Sequence, residues 1–256
     1  MENIKPTEDK HLNNVVEDCL PLAKLLEESS SYPSKLEEMF LLQKKLNDET
    51  NGPNWELGIN KFDKEINWLR CIHMEIAEMI DSTPWKHWKN IKANPDMENI
   101  HIELVDVWHF LMSYILQETN VPKAVSIANT HCIYEALSID EIDSNQLIIE
   151  GEKLSYIALS IETGNLGQAA GVEQFIDQFF RLCKLSALGF RDLQKIYIGK
   201  NCLNKFRQDH GYKEGTYIKE WDSVEDNVIM MQTLEEIEDV TFDSLYASLE
   251  IKYSEL

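Results

Sequence analysis

The chain has 256 residues, of which 43% are hydrophobic and 27% are charged, a composition typical of a soluble globular protein with one large domain or two small ones. Its net charge of −21 repels nucleic acid and anionic membrane surfaces. No apolar run approaches the ~20 residues of a membrane span, and the polar start of the chain lacks the apolar core of a signal peptide. We therefore expect a cytoplasmic protein that binds neither nucleic acid nor membrane. The five cysteines show no CxxC spacing, which argues against a disulfide framework or a zinc cluster.

Long helical patterns dominate the sequence and the alternating patterns of strands are nearly absent, which predicts an all-α helical bundle. The segment SSSYPS is interpreted as a linker. It divides an N-terminal extension of unknown role at 1–34 from a single helical domain at 35–256. Helices are predicted at 35–49, 63–82, 97–118, 123–138, 145–162, 172–187, 191–209, 224–238 and 242–254. The segment GYKEGTYIKEW, from Gly211, is expected to form an ordered loop with a short extended piece.

Two amides and two tryptophans early in the chain are candidates for binding a nucleobase. Gln43 and Asn47 are four residues apart in LLQKKLNDETN and share one helix face, where two amides can read the donors and acceptors of a base edge. Trp85 and Trp88 follow the next predicted helix in STPWKHWKN, and a flat ring can stack on a base. Considered alone, these residues are better explained as surface amides and packing tryptophans.

Two pairs of carboxylates carry the clearest chemical signal. Glu75 and Glu78 lie in NWLRCIHMEIAEMIDS, and Glu103 and Asp106 lie in NIHIELVDVWHF. Each pair is spaced i, i+3, borders an apolar stripe, and has no Lys or Arg one turn away on its own helix. Two such helices that face each other gather four negative charges, an arrangement that a hard divalent cation such as Mg²⁺ or Mn²⁺ stabilises. The alternative for either pair taken singly is a solvated helix face.

His109 lies three residues after Asp106, and a carboxylate and a histidine at this spacing occur in di-iron helical bundles. Those proteins need such a pair on each of two helices. The first acidic helix offers only carboxylates there, because its His73 falls on the apolar side. An oxygen-only metal site is therefore the better prediction, with His109 as a pocket or structural residue.

A basic helix face supplies positive charge to this acidic protein. Six of the 24 basic residues lie between positions 195 and 219. Within GKNCLNKFRQDHGY, Lys200, Asn204 and Arg207 fall at i, i+4 and i+7, so they share a face that can bind phosphate oxygens, with Tyr212 nearby. The alternative is a basic surface stripe. Together with the acid pairs, this face indicates metal-assisted hydrolysis.

These segments together resemble the dimeric, all-α dUTP diphosphatases (dUTPases), which belong to the all-α nucleoside triphosphate pyrophosphatase superfamily with the MazG-like enzymes and the dCTP pyrophosphatases. The acid pairs are shared across that superfamily, whereas the amide block, the WKHWK block and the GYKEGTYIK block are more specific to dUTPases. The resemblance covers about residues 37–227. It implies that 35–256 is a catalytic domain with a rigid part and a mobile helical part.

The resemblance also implies a role for each candidate residue. The expected metal ligands, for Mg²⁺ with Mn²⁺ as an option, are Glu75, Glu78, Glu103 and Asp106. The expected nucleoside contacts are Gln43 and Asn47 on the uracil edge, Trp88 in the base pocket, and His109 near sugar and base. The expected phosphate contacts are Lys200, Asn204, Arg207, Tyr212 and Lys213. Catalysis is expected from Glu75, Glu78, Lys200 and Arg207, and the implied reaction is hydrolysis of dUTP, and of dUDP, to dUMP by a homodimer.

The sequence departs from the family pattern in two places. The first 30 or so residues have no counterpart. After Trp221 the family typically has Asn-Gly-Lys, where this chain has Asp222, Ser223 and Val224, so a lysine that could contact the phosphates is missing. The alternatives are a related pyrophosphatase acting on another nucleotide such as dCTP, a di-iron carboxylate protein, and a non-catalytic helical dimerisation module.

Overall fold

The computed structural model describes residues 32–89, 93–131, 142–238 and 240–256. The predicted extension at 1–34 lies outside this range except for its last three residues. Those three, predicted as the end of a linker, already belong to the first helix. Pro33 is tolerated there because the first turn of a helix has no acceptor for the N–H that proline lacks. The part of the helix predicted at 123–138 that follows residue 131 also lies outside the described residues.

Within the described residues there are nine α-helices and almost no strand, which confirms the all-α prediction. The helices are α1 (32–51), α2 (Trp68–Asp81), α3 (Met97–Glu118), α4 (Val121–His131), α5 (Ser144–Glu162), α6 (Gln168–Leu185), α7 (Phe190–Asp209), α8 (Asp226–Glu236) and α9 (Phe242–Tyr253). A short 3₁₀ helix, Trp55–Leu57, follows α1. An antiparallel hairpin of β1 (Glu220–Trp221) and β2 (Val224–Glu225) precedes α8. No helix in the described ranges is both long and apolar enough to cross a bilayer.

Helices α2, α3, α5 and α6 form the central bundle, in which α2 packs on α3 and α5, and α6 packs on α5 and α3. Trp108 of α3 is fully buried and stacks on Phe179 of α6, with ring centroids 5.2 Å apart. Helix α2 begins at Trp68 and not at the predicted residue 63, because the Asn67 side chain accepts a hydrogen bond from the backbone N–H of Arg70 and caps the helix. Since α2 lies directly against α3, polar residues along their shared edge come within reach of one another.

Helices α7, α8 and α9 and the hairpin enclose a second hydrophobic cluster. Phe206 of α7 is fully buried there and has ring contacts with His210, Tyr217, Trp221, Tyr246 and Tyr253. Between β1 and β2, Asp222 and Ser223 both have a left-handed backbone, with φ of 49° and 70°, as the two central residues of a type I′ turn require. This turn reverses the chain so that α8 begins against α7.

Helix α1 lies against both α3 and α7. The ring of Phe40 meets that of Trp108 with centroids 6.0 Å apart, and the Tyr197 hydroxyl donates to the backbone carbonyl of Met39 at 2.9 Å. Three helices that are distant in the sequence therefore converge. They carry the predicted amides on α1, an acid pair with His109 on α3, and the basic residues on α7.

Candidate active site

Three of the four predicted metal ligands lie together in what we call the acidic cluster. Glu75, Glu103 and Asp106 each offer a carboxylate oxygen, and these oxygens lie within 4.8 Å of one another. Glu75 comes from α2 and the other two from α3, so the packing of these helices builds the cluster. Glu78, the fourth predicted ligand, is exposed one turn further along α2 and lies outside this group. Closely spaced carboxylate oxygens are suited to a hard divalent cation.

Burial and mutual repulsion raise the pKa of two members of the acidic cluster. For Glu75 the largest cause of the raised pKa is burial, followed by the charges of Asp106, Glu103 and Glu78. For Glu103 burial again raises the pKa most, followed by the charge of Asp106. Asn99, one turn earlier on α3, donates from Nδ2 to Glu103 Oε1 at 3.1 Å and holds that carboxylate in place. Full ionisation of the cluster near neutral pH therefore calls for a nearby cation.

Lys200 of α7 is one such cation. It is only 3% exposed, and its Nζ lies 2.8 Å from Asp106 Oδ2 and donates to Asn227 Oδ1 at 3.1 Å. Its charge acts to lower the pKa of Glu103 and so opposes the effect of burial. A buried ammonium is costly unless it is paired, so the acidic cluster and Lys200 depend on each other.

A cavity of about 400 Å³ adjoins the acidic cluster. Its size is suited to a small-molecule ligand. Residues of α1, α3, α7 and the loop after α7 line it, together with the first residue of α2, and Asp106 belongs both to this lining and to the acidic cluster. The predicted site residues in the lining are Gln43, Asn47, Asp106, His109, Asn204, Arg207, Tyr212 and Lys213. The structure thus brings these eight predicted residues to one cavity, whereas Trp88, Glu78 and Lys200 are not in its lining among the described residues.

Gln43 uses most of its hydrogen-bonding capacity inside the protein. Its Nε2 donates to Ser113 Oγ at 2.9 Å and to Asn47 Oδ1 at 3.3 Å. Its Oε1 accepts from His109 Nδ1 at 2.7 Å and lies 3.2 Å from the Tyr197 hydroxyl, whose single hydrogen has its shorter contact with the Met39 carbonyl. Both donor hydrogens of the carboxamide are therefore used, while its oxygen keeps acceptor capacity. Gln43 thus orients its neighbours, and it can donate to a base only if one of its two donor bonds is exchanged.

Asn47 and His109 have polar capacity without a partner among the described residues. Asn47 donates one Nδ2 hydrogen to Ser113 Oγ at 3.0 Å and accepts at Oδ1 from Gln43, which leaves one hydrogen and one lone pair. His109 Nδ1 donates to Gln43, because the amide oxygen can only accept, so Nε2 is an unpaired acceptor. Burial lowers the pKa of His109 to about 4 and keeps the ring neutral. A donor and acceptors are thus available at this end of the cavity.

Arg207 borders the cavity on the α7 side. Its Nη1 lies 3.4 Å from Asn204 Oδ1, and its guanidinium lies 5.9 Å from the centroid of the Tyr212 ring. Its Nε and Nη2 donate to Asp226 at 2.7 and 2.8 Å. Lys213 donates to the backbone carbonyl of Thr50 at 3.4 Å, so a residue of the loop after α7 is bonded to the end of α1. Asn204 and Arg207 lie together as their helical spacing indicates, and Tyr212 and Lys213 line the same cavity.

The structure does not bring Trp88 to the cavity. Its side chain is 66% exposed, its ring contacts are with Trp85 and His87 of the same turn, and it is not among the described residues of the lining. Trp68 is in the lining, stacked on Phe110 with centroids 6.1 Å apart, and its buried Nε1 has no partner in the described part of the chain. Sequence analysis missed Trp68 because an apolar residue at the start of an amphipathic helix is typical of core packing.

The departure from the family pattern after Trp221 lies in the hairpin. Val224, at the position of the missing lysine, pairs with Trp221 and does not line the cavity among the described residues. Asn227, which sequence analysis assigned no role, accepts from Lys200 at 3.1 Å and from Arg207 Nη2 at 3.4 Å. The first turn of α8 therefore holds the two basic side chains together.

In the absence of divalent metal ions, we expect the acidic cluster to make the protein less stable as pH rises from about 5 to about 8. A carboxyl group whose pKa is raised by folding favours the folded state fully at pH values below its ordinary pKa, the value it has in the unfolded chain. That contribution is lost as pH rises through the folded value, about 8 for Glu75. Thermal unfolding in EDTA across this range measures the effect. The Glu75→Gln variant should show a shallower fall of Tm with pH, and equal slopes in both proteins would contradict the prediction.

Comparison with known proteins agrees with this geometry. A family model described as dUTPase matches residues 35–212, which is more than half of the chain. The matched segment contains the acidic cluster, Lys200 and Arg207, whereas the hairpin and the start of α8 lie beyond it. No curated protein matches the chain.

Proposed function

Since the chain belongs to the dUTPase family and is therefore a dUTP diphosphatase, we propose that it hydrolyses dUTP, and also dUDP, to dUMP with the assistance of divalent metal ions. Diphosphate is released from dUTP and phosphate from dUDP. The observation that supports this proposal best is the position of Asp106. Its carboxylate belongs to the acidic cluster and also lines the cavity that holds the predicted base and phosphate contacts.

The acidic cluster fits Mg²⁺, with Mn²⁺ as an alternative, because all of its donors are hard carboxylate oxygens. The raised pKa values of Glu75 and Glu103 support the same assignment, since a divalent charge relieves the repulsion that raises them. We propose that Glu75, Glu103 and Asp106 hold the metal and that the exposed Glu78 completes the set. A bound divalent ion neutralises phosphate charge and lowers the pKa of a coordinated water.

The residues of the chain bind and orient the phosphates. The Nη1 edge of Arg207, beside Asn204, is directed to phosphate oxygens, and Tyr212 and Lys213 bind on the side of the loop. Lys200, which pairs with Asp106 and is not itself among the described residues of the lining, stabilises the negative charge that develops as the phosphate bond breaks. One carboxylate of the acidic cluster orients the attacking water and accepts its proton.

The base is selected by fixed polar atoms. Gln43 donates to Asn47 Oδ1 and so prevents the Asn47 amide from flipping, because a flipped amide would set two donors against each other. The remaining Nδ2 hydrogen and Oδ1 lone pair of Asn47 complement the carbonyl and the N3–H of uracil. Cytosine in the same orientation offers the opposite pattern. We propose that Asn47 reads the base edge, that Gln43 and His109 Nε2 support it, and that Trp68 packs beside it.

The Asn47→Ala variant is expected to lose about tenfold to a hundredfold in kcat/KM for dUTP, because a buried polar group that loses its partner costs about 1–3 kcal/mol. The ratio of kcat/KM for dUTP to kcat/KM for dCTP should fall in the same variant. Steady-state kinetics with both nucleotides measure the change. Asn54→Ala is the matched control, because Asn54 is exposed just after α1 and its side chain caps no helix. An unchanged ratio in Asn47→Ala would show that Asn47 does not take part in base selection.

A panel of nucleotides assayed with Mg²⁺ tests the proposed function directly. We expect turnover of dUTP and dUDP, release of dUMP from both, and no turnover in EDTA until Mg²⁺ or Mn²⁺ is restored. Preference for dCTP would favour the related pyrophosphatase, and full activity in EDTA would remove the metal from the mechanism. Iron binding with visible absorption would favour a di-iron protein.

We also propose that the enzyme is a cytoplasmic homodimer. Ile149, Tyr156 and Leu159 lie on one face of α5 and are 46%, 71% and 54% exposed. Apolar side chains of this kind on one surface are typical of contacts between subunits. Light scattering after size-exclusion chromatography should give about twice the chain mass of 29.8 kDa. Tyr156→Glu should shift the protein toward the monomer, and a monomeric wild type would contradict the proposal.

A further inference from the structure

Asp226 is a fully buried carboxylate that lies beyond residues 35–212, the segment matched by the dUTPase family model. Its Oδ2 accepts from Arg207 Nε at 2.7 Å and from the Tyr217 hydroxyl at 2.9 Å, and its Oδ1 accepts from Arg207 Nη2 at 2.8 Å. Its backbone N–H donates to the carbonyl of Lys219 at 3.0 Å. Both the backbone and the side chain of Asp226 are therefore held in place.

The hairpin determines where this carboxylate lies. Trp221 is buried in the second hydrophobic cluster, and the left-handed Asp222 and Ser223 turn the chain back directly after it. Three residues after Ser223, α8 begins at Asp226, whose carboxylate pairs with Arg207. The position of Asp226 thus follows from the packing of the hairpin and not only from its pairing with Arg207.

Asp226 divides the guanidinium of Arg207 into an occupied edge and an available edge. A guanidinium carries five N–H groups in a planar fork. Asp226 takes the Nε hydrogen and one Nη2 hydrogen, while Asn227 Oδ1 lies 3.4 Å from Nη2. Nη1 donates one hydrogen to Asn204 Oδ1 at 3.4 Å, which leaves its second hydrogen for a ligand, and both residues line the cavity. A bidentate pair fixes the rotation of the fork as well as its position.

We propose that Asp226 is a positioning residue of the active site, which holds Arg207 so that its Nη1 edge is presented to the phosphates of the nucleotide. It acts only through Arg207. This inference rests on the proposed role of Arg207 in binding phosphate. Asp226 lies beyond the segment matched by the family model but within residues 37–227, over which the sequence resembles the dUTPases.

A double-mutant cycle in the full-length chain tests the proposal, with kcat and KM measured for dUTP in Mg²⁺. Arg207→Gln is expected to lower kcat/KM by about a hundredfold to a thousandfold. Asp226→Asn should lower it by about tenfold to a hundredfold, because it leaves a displaced guanidinium. The double variant should fall no further than Arg207→Gln alone. A double variant that shows the product of the two losses would overturn the proposal, because Asp226 would then act independently of Arg207.

Glu150→Gln is the matched control for loss of a buried carboxylate. Glu150 is 1% exposed, pairs with Arg181 Nε at 3.2 Å and Lys153 at 2.8 Å, and lies away from the cavity. This variant should lower Tm while kcat/KM stays at the wild-type value.

If Asp226→Asn does not fold, Tyr217→Phe replaces it in the double-mutant cycle with Arg207→Gln, because it removes one hydrogen bond to Asp226. Its smaller loss should vanish in the Arg207→Gln background, and a loss that persists there would overturn the proposal.

The outcomes separate this inference from the proposed function. If Arg207→Gln keeps wild-type kcat/KM, the phosphate-binding role of Arg207 is wrong, and the role of Asp226 is wrong with it. If Arg207→Gln loses activity while folded Asp226→Asn retains it, only the positioning role is overturned.

Discussion

Replacement of Glu75 by Gln is expected to lower kcat for dUTP at saturating Mg²⁺ by at least about a hundredfold, because the divalent ion that Glu75 is proposed to hold would contribute several kcal/mol to the stabilisation of phosphate charge. Glutamine keeps the shape of the side chain but removes its negative charge. The same change should raise Tm in EDTA at neutral pH, since it removes a carboxyl group whose pKa is raised by burial and by the charges of its neighbours. Lower activity combined with higher stability is the result expected of a charge retained for function.

Asp81→Asn is the control for this experiment. Asp81 lies on the same helix and pairs with Lys86 at 2.6 Å, outside the acidic cluster. It should leave kcat within about twofold of wild type, as expected for a surface ion pair. Wild-type turnover in Glu75→Gln would exclude the acidic cluster from the reaction.

Lys200→Met should reduce kcat by about a hundredfold to a thousandfold, the loss found when a donor that stabilises transition-state charge is removed. Methionine fills a similar volume in this buried position without the ammonium group that lies 2.8 Å from Asp106. Without that group the acidic cluster carries more uncompensated charge, so Tm in EDTA at neutral pH should also fall. Kinetics with dUTP and thermal unfolding measure the two effects.

Lys205→Met separates the role of Lys200 from a general loss of basic charge. Lys205 lies on the same helix, pairs with Asp209, and does not line the cavity among the described residues. Its replacement should leave kcat near the wild-type value. Equal losses in both variants would mean that Lys200 acts through overall charge and not through its position.

The parts of the fold that depend on local signals could be predicted from the sequence. Helix α3 runs from Met97 to Glu118 as predicted, because Asp96 caps its start by accepting from the backbone of Asn99. The predicted start of α2 is too early because apolar residues at helical spacing continue on the N-terminal side of Asn67. The helix itself begins only after Asn67, which caps it. The hairpin is too short for a strand pattern and depends on the burial of Trp221.

In the candidate site, too, features that come from one helix could be predicted and contacts between distant residues could not. The acid pairs are local, since each comes from one helix, and the packing of α2 on α3 brings three of the four carboxylates together. The contacts of Gln43 could not be predicted, because Ser113 and Tyr197 are 70 and 154 residues away in the sequence. The role of Asp226 depends equally on a contact across 19 residues that no helical spacing indicates.

Asp106 has a thermodynamic consequence, because its carboxylate is shared by the acidic cluster and the cavity. A ligand that changes its charge or position at one site alters binding at the other, and such coupling is reciprocal. The factor by which the proposed metal ion would strengthen nucleotide binding must therefore equal the factor by which the nucleotide would strengthen metal binding. A change at Lys200, which pairs with the same carboxylate, shifts both affinities together.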